Sequence, residues 1–307
     1  MMESTLKSQL VSVIMPAYNV ENYIRDSINS VLRQTWSEIE VIVVNDGSTD
    51  KTLEIINEFK DKITIVSQEN SGVSAARNNA VKLANGKWIA FLDGDDLWKP
   101  EKIEKQLAKT TKTRWSHTDS RYFGITTDKP LYRSDLTEMH HGYVFSEIIL
   151  ANFITTSTVL MERTLYLEYN GMDQSLDALE DWKLWVSIAK KYPISYVPEP
   201  LTDYRVYPGS ASRKARSILP IHEKVIKRIF TELVDDPGLK KLQSDALRTS
   251  FKICAYIAES SNDHVYAFKC WLKAVSAKPL DTKLWIPTFK SFVKIIICSL
   301  NLNNKTK

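Results

Sequence analysis

Over the first hundred residues, short apolar runs alternate with stretches of helical period. Residues 11–15 (VSVIM) are apolar and stop at Pro16, which predicts a buried strand that breaks into a loop. Ile24, Ile28, Val31 and Leu32 then recur at the spacing of one helix face. A second strand is predicted over 40–44, ending at Asn45-Asp46-Gly47-Ser48-Thr49-Asp50, and a helix follows with Leu53, Ile56 and Phe59 on one side. Residues 63–66 read as a third strand, and 74–84 as a helix that stops at Gly86. Residues 88–92, uncharged and apolar, form the fourth strand and lead straight into Asp93-Gly94-Asp95-Asp96.

Strands and helices alternating at this spacing predict βαβ units and a mostly parallel sheet with helices on both faces. Right-handed crossovers then bring Asn19, Asp46 and the 93–96 acids to one sheet edge, where open α/β sheets bind their ligands. The middle of the chain is less regular. Residues 114–123 and 157–161 are predicted strands, and 192–206 an extended segment broken by Pro193, Pro198 and Pro200. Between them, 179–190 reads as a helix with Glu180 and Asp181 in its first turn, where acids also suit the helix dipole.

From about residue 217 the pattern is wholly helical, with helices predicted over 225–233, 239–259, 264–276 and 288–300. In the last of these, Phe289, Phe292, Val293, Ile296, Ile297 and Leu300 make one apolar stripe with Lys290 and Lys294 off it. It is too short and too charged to span a bilayer. Two readings stay open: a basic amphipathic helix lying in a membrane interface, or a helix packed on the main domain.

With 307 residues and 43% apolar content the chain can bury a large domain and an appendage. A net charge of +4, dispersed over most of the length, does not suit a nucleic-acid binder. Cys254, Cys270 and Cys298 show no zinc-ligand spacing and are expected as reduced, buried thiols. Residues 1–16 lack a basic region ahead of a long apolar stretch, so no signal peptide is expected, and a cytoplasmic location follows. The sequon at Asn304 then carries little weight.

The acids at 93–96 repel one another and favour a cation between them, although an acidic turn capping the next helix explains them as simply. Asp46 likewise suits either a ligand contact or an Asx turn. Arg77, in the first turns of a helix opening at the same edge, suits an anion or a surface salt bridge.

Taken together, VSVIMPAYN, VIVVNDGSTDKT, ENSGVSAARNNAV, FLDGDD and LEDW occur in the order found in family 2 glycosyltransferases, and the chain resembles that family over about residues 8–212. The resemblance implies an α/β fold of GT-A type, a Rossmann-like, mostly parallel mixed sheet flanked by helices, with an α-helical C-terminal appendage outside it. Residues 1–216 would form the catalytic domain, nucleotide-binding over about 8–100 and acceptor-binding over about 101–216, and 217–307 the helical region. The implied activity is metal-dependent, inverting transfer of a hexosyl unit from a nucleoside-diphosphate sugar, most simply a UDP-sugar. The acceptor would be a hydroxyl of a saccharide or lipid-linked saccharide in surface polysaccharide or glycan synthesis, with peripheral membrane contact through the last helix.

Residue by residue, the resemblance makes Asp95 the ligand of Mn²⁺ or Mg²⁺, with Asp93 beside it facing ribose or metal, Gly94 giving backbone room and Asp96 bracing the loop. Asp46 would accept from the base, Pro16, Ala17, Tyr18 and Asn19 would line it, and Arg77 would face the diphosphate. Asp181 would be the general base, with Glu180 its competitor. Trp182 and Trp185 suit either acceptor stacking or core packing. Relatives often carry a histidine where Tyr207 stands here, a poor neutral ligand, which leaves the metal to Asp95, the diphosphate and water. Arg205 and Arg213 would face the phosphates. Three rivals remain: a nucleotidyltransferase, disfavoured because Pro16-Ala17-Tyr18-Asn19 is not a glycine-rich loop; a polyprenyl-phosphate glycosyltransferase; and a nucleotide-sugar-binding protein without catalysis.

Overall fold

The computed structural model describes residues 9–124, 129–207 and 214–305, with side chains to 297. Two compact units emerge, one of Met1–Phe145 with Asn152–Tyr207 and the other of Ser146–Ala151 with Pro208–Lys307.

The first unit is built on a mixed sheet, nine-stranded among the described residues. Strands β1 (Val11–Ala17), β2 (Ile39–Asp46), β3 (Thr64–Gln68) and β4 (Trp88–Phe91) are parallel, in the order β3-β2-β1-β4. Their C-terminal ends therefore share one edge. Helices α1 (Ile24–Leu32), α2 (Thr52–Asn57) and α3 (Val73–Leu83) connect them. β1 is buried along its whole length because both faces are covered, which is why its sequence reads as an uninterrupted apolar run. Val11, Val13 and Met15 meet Ile24, Ile28 and Val31 of α1 in one core cluster.

Beyond β4 the sheet changes direction. A two-residue β5 (Leu97–Trp98), helix α4 (Lys102–Lys109), β6 (Trp115–Phe123), β7 (Leu131–Tyr132), β8 (Leu160–Glu162), helix α5 (Glu180–Ala189) and β9 (Ser195–Arg205) follow in order. β8 lies antiparallel between β4 and β6, and β9 runs parallel to β6 with a register shift around Asp119. The strand expected over 157–161 is shorter than its pattern. Thr156–Thr158 form a 3₁₀ turn in which the Thr158 hydroxyl donates to the Thr155 carbonyl, a local bond that competes with the ladder.

The second unit contains helices α6 (Ala215–Glu232), α7 (Gln243–Ser260), α8 (His264–Ala277) and α9 (Trp285–Lys305). α6 starts ten residues ahead of the predicted 225 and runs through Pro220. Proline removes one ladder bond near the helix start, and the burial of Ala215 and Leu219 in the unit's core offsets it. That core holds Cys254 and Cys270, both free and buried as expected, with Ala255, Trp271 and Ala274. The Cys298 side chain and Asn304 lie outside the described side chains. Among the described residues no helix is long and apolar enough to cross a membrane.

Candidate active site

At the shared edge, the loops after β1 and β2 brace each other. Asn19, in the left-handed region at φ 51°, accepts at Oδ1 from the Thr49 amide (2.8 Å), while its own amide donates to the Ser48 hydroxyl (3.2 Å). Asparagine tolerates that backbone conformation better than most residues. Pro16 and Ala17 are buried at the end of β1, whereas the Tyr18 ring beside them is 48% exposed. The Asp46 carboxylate is buried and holds the loop before α3, accepting from Gln68 Nε2 (2.7 Å), the Ser71 amide (2.8 Å) and the Gly72 amide (2.9 Å). A carboxylate has about four acceptor sites, so roughly one is left for a ligand. Asp46 does not make the local turn onto its own following helix; its partners are Gln68, Ser71 and Gly72.

The loop after β4 presses against β1. A Cβ on Gly94 would stand 3.1 Å from the Pro16 carbonyl oxygen, a tight contact that would push the two loops apart by a few tenths of an ångström. Its three acids are placed differently. Asp93 pairs with Arg77 Nη2 at 2.5 Å, and its amide donates to the Ser157 hydroxyl (3.1 Å). Asp95 lies against the Tyr207 hydroxyl; burial and the charge of Asp93 push its carboxyl up to about 6, with the Tyr207 bond opposing them. Asp96 is buried, and burial, then Asp95 and Asp93, raise it well above the carboxylate range. Its Oδ1 accepts from the Arg205 amide (2.8 Å), whereas Oδ2 finds no hydrogen-bond partner among the described residues.

Arg77 differs most from expectation. Its guanidinium is 4% exposed and donates to Asp93 from Nη2 and to Glu180 Oε1 from Nη1 (2.7 Å). It bridges two carboxylates inside the unit and does not open toward a phosphate, because residues 73–83 turn this side of α3 inward. Burial works against its charge, but Asp93 and Glu180 outweigh that and hold it above the ordinary arginine range.

Glu180 and Asp181 open α5 behind Leu179, which takes φ 62°. A left-handed leucine is strained by roughly 1–2 kcal/mol and persists where its surroundings over-determine it. Glu180 is buried on Arg77. Asp181 is less enclosed and accepts at Oδ2 from the Thr156 hydroxyl (2.8 Å) and Asn152 Nδ2 (3.2 Å), and at Oδ1 from the Trp182 amide (2.6 Å). Burial raises its pKa, and the Thr156 bond and Arg77 partly restrain it.

Trp182 and Trp185 are both buried, the latter 5.9 Å from the Trp115 ring and 6.2 Å from Phe91. They are core, so acceptor stacking on Trp182 is corrected. Arg205 is sandwiched between the rings of Tyr23 (4.5 Å) and Phe123 (4.3 Å), and its Nε donates to the Asp95 carbonyl (2.8 Å). Arg213 falls outside the described residues. The 3₁₀ turn was not anticipated: Thr156 reaches Asp181, Ser157 reaches Asp93, and the Ser157 carbonyl accepts from Trp98 Nε1 (2.7 Å) and the Thr202 hydroxyl (3.2 Å). Its sequence signal was the hydroxyl run TTST within 155–158.

Among the described residues there is no cluster of three or more Asp, Glu, His or Cys that would cage a metal ion. The donor set nonetheless suits a hard divalent cation. Asp93, Asp95 and Asp96 crowd three carboxyls into one loop, where burial and their mutual repulsion raise Asp95 and Asp96, a strain that a cation at Asp95 and Asp93 would relieve, and phosphate oxygens and water complete such a coordination sphere in many phosphate sites.

A family description for glycosyl transferase family 2 matches residues 12–165. The putative teichuronic acid biosynthesis glycosyltransferase TuaG of Bacillus subtilis is 34% identical over 211 residues, 66% of this chain and 81% of its own. The Escherichia coli UDP-Glc:alpha-D-GlcNAc-diphosphoundecaprenol beta-1,3-glucosyltransferase WfaP is 34% identical over 237 residues, 72% of this chain and 87% of its own. Against an uncharacterised glycosyltransferase of Rickettsia conorii, 34% identical over 68% of this chain, the match spans only 35% of the relative's length. Among solved structures, S. aureus TarS 1-349 in complex with UDP superposes with a TM-score of 0.62 at 19% identity, over 93% of this chain and 88% of that one. The mannosyltransferase PcManGT from Pyrobaculum calidifontis, in complex with GDP-Man and Mn²⁺, gives 0.63 at 16%, over 97% and 88%. These two likenesses carry the fold alone.

Proposed function

The chain belongs to glycosyl transferase family 2, and on that premise we propose that it transfers a hexosyl unit from a UDP-sugar to a hydroxyl of a lipid-linked saccharide, with inversion, in polysaccharide synthesis. The observation that carries this reading is the division of labour between Glu180 and Asp181. Glu180 is tied to Arg77, whereas Asp181 is held by the neutral donors Thr156 and Asn152 and keeps acceptor capacity for a proton. That supports Asp181, over its neighbour, as the general base.

In the proposed reaction the acceptor oxygen attacks the anomeric carbon while Asp181 takes its proton. The bond from that carbon to the diphosphate breaks, and the nucleoside diphosphate leaves with the electron pair. No second carboxylate serves as nucleophile, so one displacement inverts the centre. Asp95, with Asp93 beside it, would hold Mn²⁺ or Mg²⁺, which when bound neutralises charge on the leaving diphosphate. Tyr18 offers a ring face to the base and Asp46 its remaining acceptor site. Arg77 fixes Asp93 and Glu180 in place without touching the donor. The sheet unit, Met1–Phe145 with Asn152–Tyr207, would carry transfer; the limit expected at 216/217 falls inside α6, so the helical region takes in the whole of that helix. The names of the two relatives matched over most of their length support a polysaccharide or lipid-linked acceptor, and the UDP-glucose named for the Escherichia coli protein supports UDP.

The test is nucleoside-diphosphate release from a panel of UDP- and GDP-sugars with Mn²⁺, with and without a diphosphoundecaprenol-linked saccharide. Asp181→Asn should lower turnover by roughly 10²–10⁴-fold at unchanged thermal midpoint and donor affinity. Turnover at the wild-type rate in that variant, or in the presence of excess chelator, overturns the assignment.

A further inference from the structure

Helix α9 is amphipathic in the opposite sense to a packed helix. Its buried positions are Thr288 and Ser291, whose small side chains let it lie close on α8. The Thr288 hydroxyl donates to the Leu284 carbonyl of its own chain turn (2.7 Å), and the Ser291 hydroxyl has no partner among the described residues. Trp285, Ile286, Phe289, Phe292, Ile296 and Ile297 are instead exposed, Phe289 by 67%, and Leu280 just ahead of the helix by 93%. A contiguous outward face of this kind marks an interaction surface.

Charge decides what covers it. Residues 282–297 contain Lys283, Lys290 and Lys294 and no acidic residue. Among the described residues, Lys294 is the one of these three lysines with an ion pair, a long one to Glu259 at 3.7 Å. An open groove of about 640 Å³ adjoins the start of the helix; its lining includes Lys252, Lys283, Leu280 and Tyr256, with Lys278 paired to Asp245 (3.0 Å) and the Asp281 carboxylate paired to Arg248 (2.7 Å). Two copies packed face to face about a twofold axis would oppose these lysines. An apolar stripe rich in aromatic groups and flanked by Lys283, Lys290 and Lys252, none of which is ion-paired among the described residues, is instead the composition of a helix lying in a lipid interface, with the rings at headgroup depth.

We propose that the outward face of α9, with Leu280 and the lysines beside it, docks the protein on an anionic lipid bilayer. The stripe enters the acyl boundary and Lys283, Lys290 and Lys252 meet the phosphates. This deepens the lipid-linked acceptor reading, because it holds the enzyme where such an acceptor resides. It fails separately from that reading, since bare vesicles contain no acceptor.

Flotation of the full chain with phosphatidylcholine vesicles, with and without phosphatidylglycerol, tests it. The wild-type chain should float with the anionic vesicles, remain below with the neutral ones, and be released by high salt. Phe289→Glu/Ile296→Glu should weaken binding by more than roughly a hundredfold. Lys283→Gln/Lys290→Gln should weaken it about twentyfold. Both doubly substituted chains alter exposed positions and should keep the wild-type thermal midpoint and vesicle-free donor hydrolysis. A wild-type chain that stays below with anionic vesicles at low salt overturns the proposal. So does equal binding to neutral vesicles, or a solution dimer that Phe289→Glu/Ile296→Glu dissociates while vesicles bind neither form.

Discussion

In the sheet unit the side chains of Arg77, Glu180, Asp96 and Lys102 carry ionisable groups into the interior, whereas the core cluster of the helical unit holds Cys254, Ala255, Trp271 and Ala274, with His222 as a buried ring elsewhere in that unit. The helical unit's large apolar groups on α9 lie outside, where a stable monomer gains nothing from them. Each arrangement is unfavourable by itself: a buried charge loses several kcal/mol of hydration, and an exposed aromatic forgoes the roughly 1.5–3 kcal/mol that burial would give. The two penalties fall in different places for different reasons. In the first unit Arg77 is bonded to Glu180 and Asp93 across the sheet edge, while Asp96 and Lys102 are met by neutral groups, the Arg205 amide and the Gln106 side chain, and together they fix the geometry of the site. In the second, the apolar face awaits a partner outside the chain.

The sharpest way to break this contrast is to remove the central cation. Arg77→Ala leaves Asp93 and Glu180 without their shared partner in a largely dry site. We expect a loss of about 3–5 kcal/mol in urea unfolding, with activity falling alongside. Arg77→Lys should recover little, because one ammonium cannot span both carboxylates as the guanidinium fork does. Arg216→Ala in the helical unit is the control. That pair, Arg216 Nε to Asp263 at 2.6 Å, is at the surface and screened by solvent, so its loss should leave the urea midpoint nearly unchanged. Equal effects at the two arginines would erase the distinction.

Each unit also buries a histidine, which gives a second and smaller comparison. Burial lowers His117 to about 4 and His222 to about 4. His222 Nδ1 meets the Ser250 hydroxyl (2.8 Å), whereas His117 Nδ1 has no hydrogen-bond partner among the described residues, and its Nε2 lies 3.0 Å from the His140 carbonyl. Both rings are therefore neutral in the fold. The unfolded chain takes up a proton below about 6.5 and the folded chain resists until about 4. Their stabilisation is complete above pH 6.5 and is lost as pH falls toward 4, by roughly 2 kcal/mol each at pH 5. The raised carboxyls of Glu180, Asp181 and Asp96 act with the opposite sign, so a variant comparison isolates the histidine. His117→Phe should flatten the stability difference between pH 7.5 and pH 5 by about 2 kcal/mol relative to wild type. An unchanged difference would mean that His117 is protonated in the fold.

The parts of the site that the sequence made legible are those that end a periodic element. Asp46 and Asp93 each follow an apolar run, and a strand's end is visible wherever its hydrophobic pattern stops. Partnerships were not legible. Arg77 and Glu180 are 103 positions apart, and no periodicity in α3 reveals that its arginine faces inward. Asn152 and Thr156 sit in a segment whose hydroxyls bond locally, which hides them from strand and helix patterns alike. The α9 stripe shows the same limit from the other side. Periodicity found the apolar face, but which face meets the core depends on what the neighbouring helix offers, here a surface that takes Thr288 and Ser291.

The smallest expected effect separates a buried hydroxyl that supports the base from one that serves only its own helix. Thr156 donates to Asp181 Oδ2 across 25 positions, whereas Thr288 donates to the carbonyl four residues back, which the helix ladder already uses. Thr156→Val removes a bond that favours the ionised carboxylate of Asp181, so its pKa rises further. Turnover should fall about tenfold, the equivalent of one hydrogen bond to a charged group, and the acidic limb of the pH–rate profile should move upward while KM for the donor stays put. Thr156→Ser, which keeps the hydroxyl, should restore the limb. Thr288→Val preserves shape and removes no unique bond, so stability and turnover should remain within about 0.5 kcal/mol of wild type. If Thr156→Val slows the enzyme without moving the limb, the threonine shapes the site only by packing, and the buried hydroxyls of the two units are alike.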